Sequence, residues 1–480
     1  MLFGKRKITV IPGDGIGPEV IAAALKVIAA TGVDIEPEMA EAGATVFTKG
    51  VDSGVPDETI RSIENNKVVL KGPLETPIGH GNKSANVTLR TLFETFANLR
   101  PVRELPGVRT PFTGRKLDIV IVRENVEDLY TGIEYMQTPG VALALKLISR
   151  AGCERIVQLA FEFAVAAGRR RVHCATKANI MKLTEGMMQH TFEDIAPEYS
   201  GIEAKHILID NCAHQLAMRP EQFDVIVTTN MNGDILSDLT SGLTGGLGFA
   251  PSANIGNDVA IFEAVHGSAP DIAGKNIANP TAIVLSAAMM LRHIGEGKAA
   301  NDIEQAVLVT LESGVRSGDM AGSGDASTTE EFADAIISNL GKTSDTSMST
   351  DYEAVKLPPR REEVAAVSVT ERLVTGIDVY IETTLQPQDL GDQLMVDTAG
   401  ASLTLQTITN RGNKVYPAET TMVSLIDHYR CRFLAKSRRS DVGDAEILAL
   451  LTRIGENHRW MHVEKLYLFD GDDGFSRTPK

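Results

Sequence analysis

The chain has 480 residues, 43% hydrophobic and 23% charged, a balance typical of a soluble globular protein with two or three domains. Its formal net charge of −16 excludes a surface built to track phosphates, and no apolar run approaches the roughly 20 residues that span a bilayer. Cys153, Cys174, Cys212 and Cys431 show no C-x-x-C spacing, which excludes a local zinc or disulfide framework, so a cytoplasmic protein without nucleic-acid or membrane partners is expected.

The basic opening "MLFGKRKITVIPGDG" breaks at Pro12 and Gly13, too soon for a signal-peptide core. Its apolar run predicts a strand. "PEVIAAALKVIAA" then predicts a helix, with Pro18 at its first turn and Val20, Ile21, Ala24, Leu25 and Ile28 on one face. The glycine-rich "GDGIGPE" between them places Pro18 where a dinucleotide fingerprint needs its last glycine, so a tight turn into the helix is the simpler reading.

"KVVLKGPL" predicts the next strand. In "KSANVTLRTLFETFANLRPVR", helical spacing of Leu89, Leu92, Phe93, Phe96 and Leu99 predicts a helix through Leu99, with Ser84 suited as its N-cap. Asn86 and Arg90 share a face of that helix, with Arg100 and Arg103 at its far end. A helix N-terminus with an arginine one turn along suits a carboxylate; a capped surface helix with solvated arginines is the alternative.

"LDIVIVREN" predicts a strand ending at Arg123, followed by Tyr130, either a proton donor beside a cation or a packed aromatic. "RRVHCAT" predicts a strand that delivers Lys177, and "ILIDNCAHQ" contributes Asp210. "FDVIVTTNMNGDILSDL" predicts a strand, a turn at Gly233 and a helix from about Asp234. Asp234 and Asp238 then share one helix face and repel unless a cation lies between them; Mg²⁺ or Mn²⁺ would suit such oxygens, and an N-cap Asp234 with a solvent-facing Asp238 is the alternative. "EAVHGSAPDIAGKNIANP" predicts a rigid loop that backbone-close ligands could approach, and Asp271 in it would bond ribose hydroxyls but repel a ribose phosphate.

From Gly341 the composition turns Ser/Thr-rich with a Pro pair, predicting a linker. "TGIDVYIETT" and "ASLTLQTITNRGNKVYP" alternate like half-exposed strands, and "AEILALLTRIGENHRW" like an amphipathic helix, predicting a separate α+β module.

On "NMNGDILSD" and "EAVHGSAPDIAGKNIANP", in that order, the chain from about Lys5 to Gly341 resembles the β-decarboxylating 2-hydroxyacid dehydrogenases, which include isocitrate and 3-isopropylmalate dehydrogenases. The resemblance implies an α/β fold with a discontinuous large domain on the cofactor side at 1–95 and 245–342. A small, dimer-forming domain would occupy 96–244, with a clasp near 131–150. The linker at 343–354 would lead to a C-terminal α+β domain at 355–480, similar to the extension of larger bacterial isocitrate dehydrogenases.

"KSANVTLR" is similar to the isocitrate version of the family, so the activity implied is oxidative decarboxylation of isocitrate to 2-oxoglutarate. Dehydrogenation of 3-isopropylmalate, homoisocitrate or tartrate, or a non-catalytic regulatory subunit, are the alternatives. By resemblance Ser84, Asn86, Arg90, Arg100 and Arg123 bind substrate, while Tyr130 and Lys177 are catalytic. Asp210, Asp234 and Asp238 hold Mg²⁺ or Mn²⁺, with Lys177 and Asp210 supplied by the partner in a homodimer or larger oligomer. Thr76, His266, Gly267, Asp271, Ile272 and Asn279 bind the cofactor. NADP-dependent relatives commonly carry Lys-Tyr at Asp271-Ile272, so NAD is the cofactor expected here.

Overall fold

A computed structural model describes residues 5–75, 84–115, 117–321, 325–345, 355–360, 366–417 and 422–477. Thr76 and residues 346–354 of the expected linker lie outside the described residues. Two compact units are present, one comprising 1–131 and 147–365, the other 132–146 and 366–480.

The first unit begins β1 (Arg6–Ile11), α1 (Gly17–Ala30), β2 (Ile35–Met39), α2 (Ala44–Thr48), α3 (Asp57–Asn66) and β3 (Val68–Lys71). It continues through α4 (Ala85–Leu92), β4 (Ala97–Arg103) and β5 (Asp118–Glu124). After the hairpin β6 (Glu134–Thr138) and β7 (Val141–Ala144), which belongs to the second unit, come α5 (Arg150–Ala166), β8 (Arg171–Thr176) and α6 (Thr184–Ile195). Next are β9 (Glu203–Leu208), α7 (Ile209–Met218), β10 (Val225–Thr228) and α8 (Asn230–Leu243). The unit closes with β11 (Pro251–Ile255), β12 (Ala260–Ala264), α9 (Thr281–His293), α10 (Gly297–Glu312), α11 (Gly318–Ala321) and α12 (Thr329–Ser338).

Its ten strands form one sheet in the order β2-β1-β3-β12-β11-β4-β5-β10-β8-β9. Two parallel blocks, β2-β1-β3-β12 and β5-β10-β8-β9, are joined through β11 and β4, whose pairings are antiparallel. The parallel blocks match the alternation of apolar strand and helix, because crossover helices bury such strands on both faces. One face carries the large core of α1, α5, α6, α9 and α10, with Val10, Leu70, Phe262, Leu99, Val122 and Val227 beneath. The other face has two smaller cores, one around Val69, Leu89 and Ile261 and one around Ile121, Leu216 and Leu236.

Two local expectations are overturned in this unit. The helix predicted through Leu99 stops at Leu92, Glu94 takes a positive φ of 45°, and Ala97–Arg103 becomes a central strand. The helical spacing of Phe96 and Leu99 was coincidental; pairing with two neighbours outweighs it. Gly233 also makes no turn. It lies inside α8, where an added Cβ would sit 2.6 Å from Arg123 Cγ, so the glycine permits the helix to close onto that arginine.

The second unit adds β13 (Arg372–Glu382), α13 (Pro387–Asp397), β14 (Leu403–Asn410), β15 (Asn413–Tyr416), β16 (His428–Ala435), α14 (Asp444–Asn457), β17 (Arg459–Phe469) and β18 (Asp472–Asp473). Its antiparallel sheet has the order β15-β14-β16-β13-β17-β18, a split βαβ arrangement with Ile377, Val379, Ile381, Leu390 and Leu450 in its core. Arg459 and Trp460, read as the end of a helix, begin β17. Among the described residues no helix is long and apolar enough to cross a membrane.

Candidate active site

Between the two smaller cores, one sheet face carries a polar seam. Strand alternation and register put Lys71, Glu263, Asn254, Asn98, Arg100 and Arg123 on the same side. Glu263 is buried, with Lys71 Nζ at 2.5 Å, Arg90 Nη2 at 3.2 Å and Asn254 Nδ2 at 2.7 Å. Burial alone would raise its pKa; Lys71 and Arg90 outweigh this and hold it well below the usual carboxylate range. Asn98 donates to Asn254 Oδ1 at 2.9 Å and accepts from Arg100 Nε at 2.6 Å, so the chain of contacts runs from Glu263 to Arg100.

The helix α8 lies over the far end of the seam. Asp234 and Asp238 face Arg100, whose guanidinium is 3.3 Å from the first and 3.5 Å from the second. An arginine thus occupies the position between the two carboxylates. Arg123 binds Asp234 through Nη1 and holds Asn230 Oδ1 at 3.0 and 2.8 Å. Tyr130 donates to Asp234 Oδ2 at 2.6 Å, and Arg123 Cζ lies 5.0 Å from the centre of its ring. Burial and the contact with Asp234 raise the phenol's pKa. Burial also favours protonated Asp234, but Arg123 and Tyr130 prevail and keep it low; Asp238 is pushed up, by burial above all. Burial and the neighbouring Arg123 bring Arg100 down to about 10.

The helix α4 brings Ser84, Asn86 and Arg90 to this face, with Ser84 at the N-cap position but making no capping bond to the helix. Asn86 Oδ1 and Arg90 Nε are buried with no hydrogen-bond partner, the state expected of atoms that face a polar ligand. Lys177 follows β8 and Asp210 opens α7 beside it; the two pair at 2.9 Å. Buried Glu185 ties this region to α8, accepting from Lys177 N at 2.8 Å, Thr229 Oγ1 at 3.0 Å and Asn232 Nδ2 at 3.0 Å.

The loop from His266 to Asn279 docks on the glycine turn before α1, through Ile16 N to Ser268 O at 2.8 Å and Asn276 N to Glu19 Oε2 at 3.0 Å. A Cβ on Gly15, at φ +60°, would lie 2.0 Å from Ser268 O, so "GDGIGPE" serves as a close-packed turn. His266 Nδ1 meets Gly267 O at 3.0 Å while its Nε2 is buried without a partner, and burial lowers its pKa. Asn279 bonds Thr281 N at 3.0 Å and Asp319 Oδ2 at 3.1 Å. Asp271 and Ile272 form a short 3₁₀ turn, with Asp271 exposed.

Asp234 and Asp238 offer hard oxygen donors one helical turn apart, and the Asp238 side chain is 57% exposed, which fits a divalent cation. Asp210 does not join them: among the described residues no three His, Cys, Asp or Glu side chains converge. Sequence reasoning missed Lys71, Asn98, Asn254, Glu263, Glu185 and Ser237, the last bonded by Arg100 Nη1 at 2.5 Å. The signal available for Lys71 and Glu263 was a lone charge at the end of an otherwise apolar strand.

Residues 7–336 match the isocitrate/isopropylmalate dehydrogenase family, and residues 372–479 match the C-terminal domain of bacterial isocitrate dehydrogenase. The chain is 58% identical over 476 residues to an NADP isocitrate dehydrogenase of Thermus thermophilus, covering 99% of this chain and 96% of that one. It is 40% identical over 477 residues to an NADP isocitrate dehydrogenase of Rickettsia bellii, covering 98% of each. The crystal structure of the TT0538 protein from Thermus thermophilus superposes with a TM-score of 0.96 at 58% identity, over 100% of this chain and 97% of that one.

These relatives overturn the expectation of NAD, since both are named for NADP. The argument from Asp271 weighed one carboxylate of a loop that also carries a cation: Lys275 reaches back with Nζ 2.6 Å from the Asp271 carbonyl. The chain belongs to the isocitrate/isopropylmalate dehydrogenase family, in the larger bacterial form that carries a second, C-terminal domain.

Proposed function

We propose that the chain oxidises and decarboxylates isocitrate to 2-oxoglutarate with NADP⁺ as hydride acceptor. The observation that carries this is the gathering of Arg90, Arg100 and Arg123 beside Asp234, Asp238 and Tyr130. Three arginines suit a tricarboxylate, and an anionic substrate needs such local cations in a protein of net charge −16.

The arginines bind the carboxylates, with the partnerless Asn86 Oδ1 and Arg90 Nε available to the substrate's remaining polar groups. Asp234 and Asp238, with Asp210 of a second copy, would hold a divalent cation, which would supply polarisation of the oxygen on carbon 2. The loop from His266 to Asn279 would cradle the adenosine half of the cofactor, whose nicotinamide would supply the hydride acceptor. Lys177 of the second copy takes the hydroxyl proton. Tyr130 returns a proton to carbon 3 after carbon dioxide departs, and its raised pKa keeps that proton in place at neutral pH.

The test is absorbance of reduced nicotinamide with purified chain and Mn²⁺, pairing D-isocitrate or 3-isopropylmalate with NADP⁺ or NAD⁺. Isocitrate with NADP⁺ should dominate. A larger signal from 3-isopropylmalate, or no signal in any pairing, would sink the proposal.

A further inference from the structure

On the sheet face opposite the polar seam, the first unit contains a cavity of about 350 Å³, within the range of ~300–1,000 Å³ that holds small ligands. Leu99, Pro101 and Val120 form its floor, and Phe163, Leu285 and Met289 its apolar walls. Five charged side chains also reach it. Asp118 is occupied by Arg169 at 2.7 Å, and Glu304 by Arg292 at 2.7 Å. Arg103 is left over. Its side chain is only 15% exposed, its one ion pair among the described residues is the distant 4.0 Å contact with Glu304, and its guanidinium makes no hydrogen bond among those residues. A guanidinium has five N–H donors, and a largely buried one that makes no hydrogen bond to protein and only a long ion pair can receive an anion.

We propose that this cavity binds a small monocarboxylate with an apolar body, its carboxylate on Arg103 and its body between Phe163, Leu285 and Met289. The site is wired to the polar seam by strand geometry. Along β4, Leu99, Pro101 and Arg103 point into the cavity while Asn98 and Arg100 point to the seam, because successive side chains alternate across a sheet. A ligand that shifts Pro101 or Arg103 therefore moves the strand that presents Arg100. This coupling, unlike the binding itself, rests on the reading of Arg100 as a substrate ligand.

Titration calorimetry of the full chain with 3-phenylpropionate and with its amide tests the site. The acid should bind at least about tenfold more tightly than the amide. Arg103→Met should abolish that preference while leaving the amide's affinity unchanged, and Ala167→Phe, which fills the cavity from another wall, should abolish binding of both; circular dichroism melts check that each variant is folded. Equal affinity of acid and amide, a preference that survives Arg103→Met, unaltered binding to Ala167→Phe, or competition by isocitrate for the same site would each overturn the proposal. The KM for isocitrate should change severalfold with the acid present in the parent chain but not in Arg103→Met. Binding heats do not depend on turnover, so saturable binding without a change in KM would remove the coupling alone and leave the site standing.

Discussion

Tyr130 shares Asp234 with Arg123: the phenol donates to one carboxylate oxygen at 2.6 Å and the guanidinium holds the other. The arrangement fixes the hydroxyl's direction and, with the ring under Arg123, its position. Tyr130→Phe keeps the ring and removes only the proton. It should lower kcat by about 10²- to 10⁴-fold, the usual contribution of a positioned acid, with a much smaller change in KM. Stopped-flow absorbance should still show reduced nicotinamide forming in the first turnover. A kcat within about twofold of the parent would remove Tyr130 from the chemistry.

Glu263 is a different kind of residue, since it holds Lys71 and Arg90 together rather than reaching the substrate. Glu263→Gln leaves Lys71, 2% exposed, as an uncompensated buried charge and should cost about 3–5 kcal/mol in denaturant unfolding. The pH dependence has a fixed sign. A carboxylate whose folded pKa is depressed contributes stability above its unfolded value, near 4.5, that is lost as pH falls toward the folded value. The gap between parent and variant should therefore be full at pH 7 and shrink as the solution is acidified below the unfolded pKa. A gap independent of acid would mean that Glu263 acts through packing alone.

Glu124 runs the opposite way. Burial raises its pKa to about 7, although its carboxylate accepts from Val126 N at 2.8 Å and Glu127 N at 3.0 Å. An acid with a raised folded pKa gives stability that is complete below its unfolded pKa and disappears as pH climbs through about 7. Glu124→Gln does not titrate, so its stability relative to the parent should improve between pH 5 and pH 8, by about 1–3 kcal/mol. Parallel stability curves for the two proteins over that range would contradict the assignment.

Much of this architecture was legible because apolar strands buried on both faces and amphipathic helices leave periodic signatures. The run before Arg123, the run before Asn230 and the helix opening with Pro18 are examples, and the facing of Asp234 and Asp238 followed from their spacing alone. What was hidden depends on partners distant in the chain. Ala97–Arg103 becomes a strand because β11 and β5 flank it, and that choice puts Arg100 and Arg103 on opposite faces. The seam joins Lys71 to Glu263 and Asn98 to Asn254, pairs separated by more than 150 positions, which no local pattern records. The cofactor expectation rested on the single exposed carboxylate of Asp271, and the relatives named for NADP overturn it.

Asp238 should matter to the cation more than to the fold. Its charge is disfavoured by burial, and its contact with Arg100 is 3.5 Å, so Asp238→Asn should leave metal-free unfolding within about 1 kcal/mol of the parent. The stabilisation that Mn²⁺ confers in the presence of isocitrate should fall, by about 1.4 kcal/mol for each tenfold loss of affinity. Equal Mn²⁺-induced shifts in the two proteins would place the cation elsewhere.

Lys177 and Asp210 pair with each other, and among the described residues Asp210 joins no cluster with Asp234 and Asp238; the proposed function would draw both from a second copy of the chain. Complementation decides this. Tyr130→Phe and Lys177→Met homodimers should each be nearly inactive. A hybrid dimer of the two variants contains one site with Tyr130 from the second chain and Lys177 from the first, both intact, while its other site lacks both. Differently tagged chains, co-expressed and purified as the hybrid, should therefore show about half the parent's activity per dimer, because a two-fold dimer has two equivalent sites. If Lys177 instead served the site of its own chain, every site in the hybrid would lack one group and the activity would stay at the level of the homodimers.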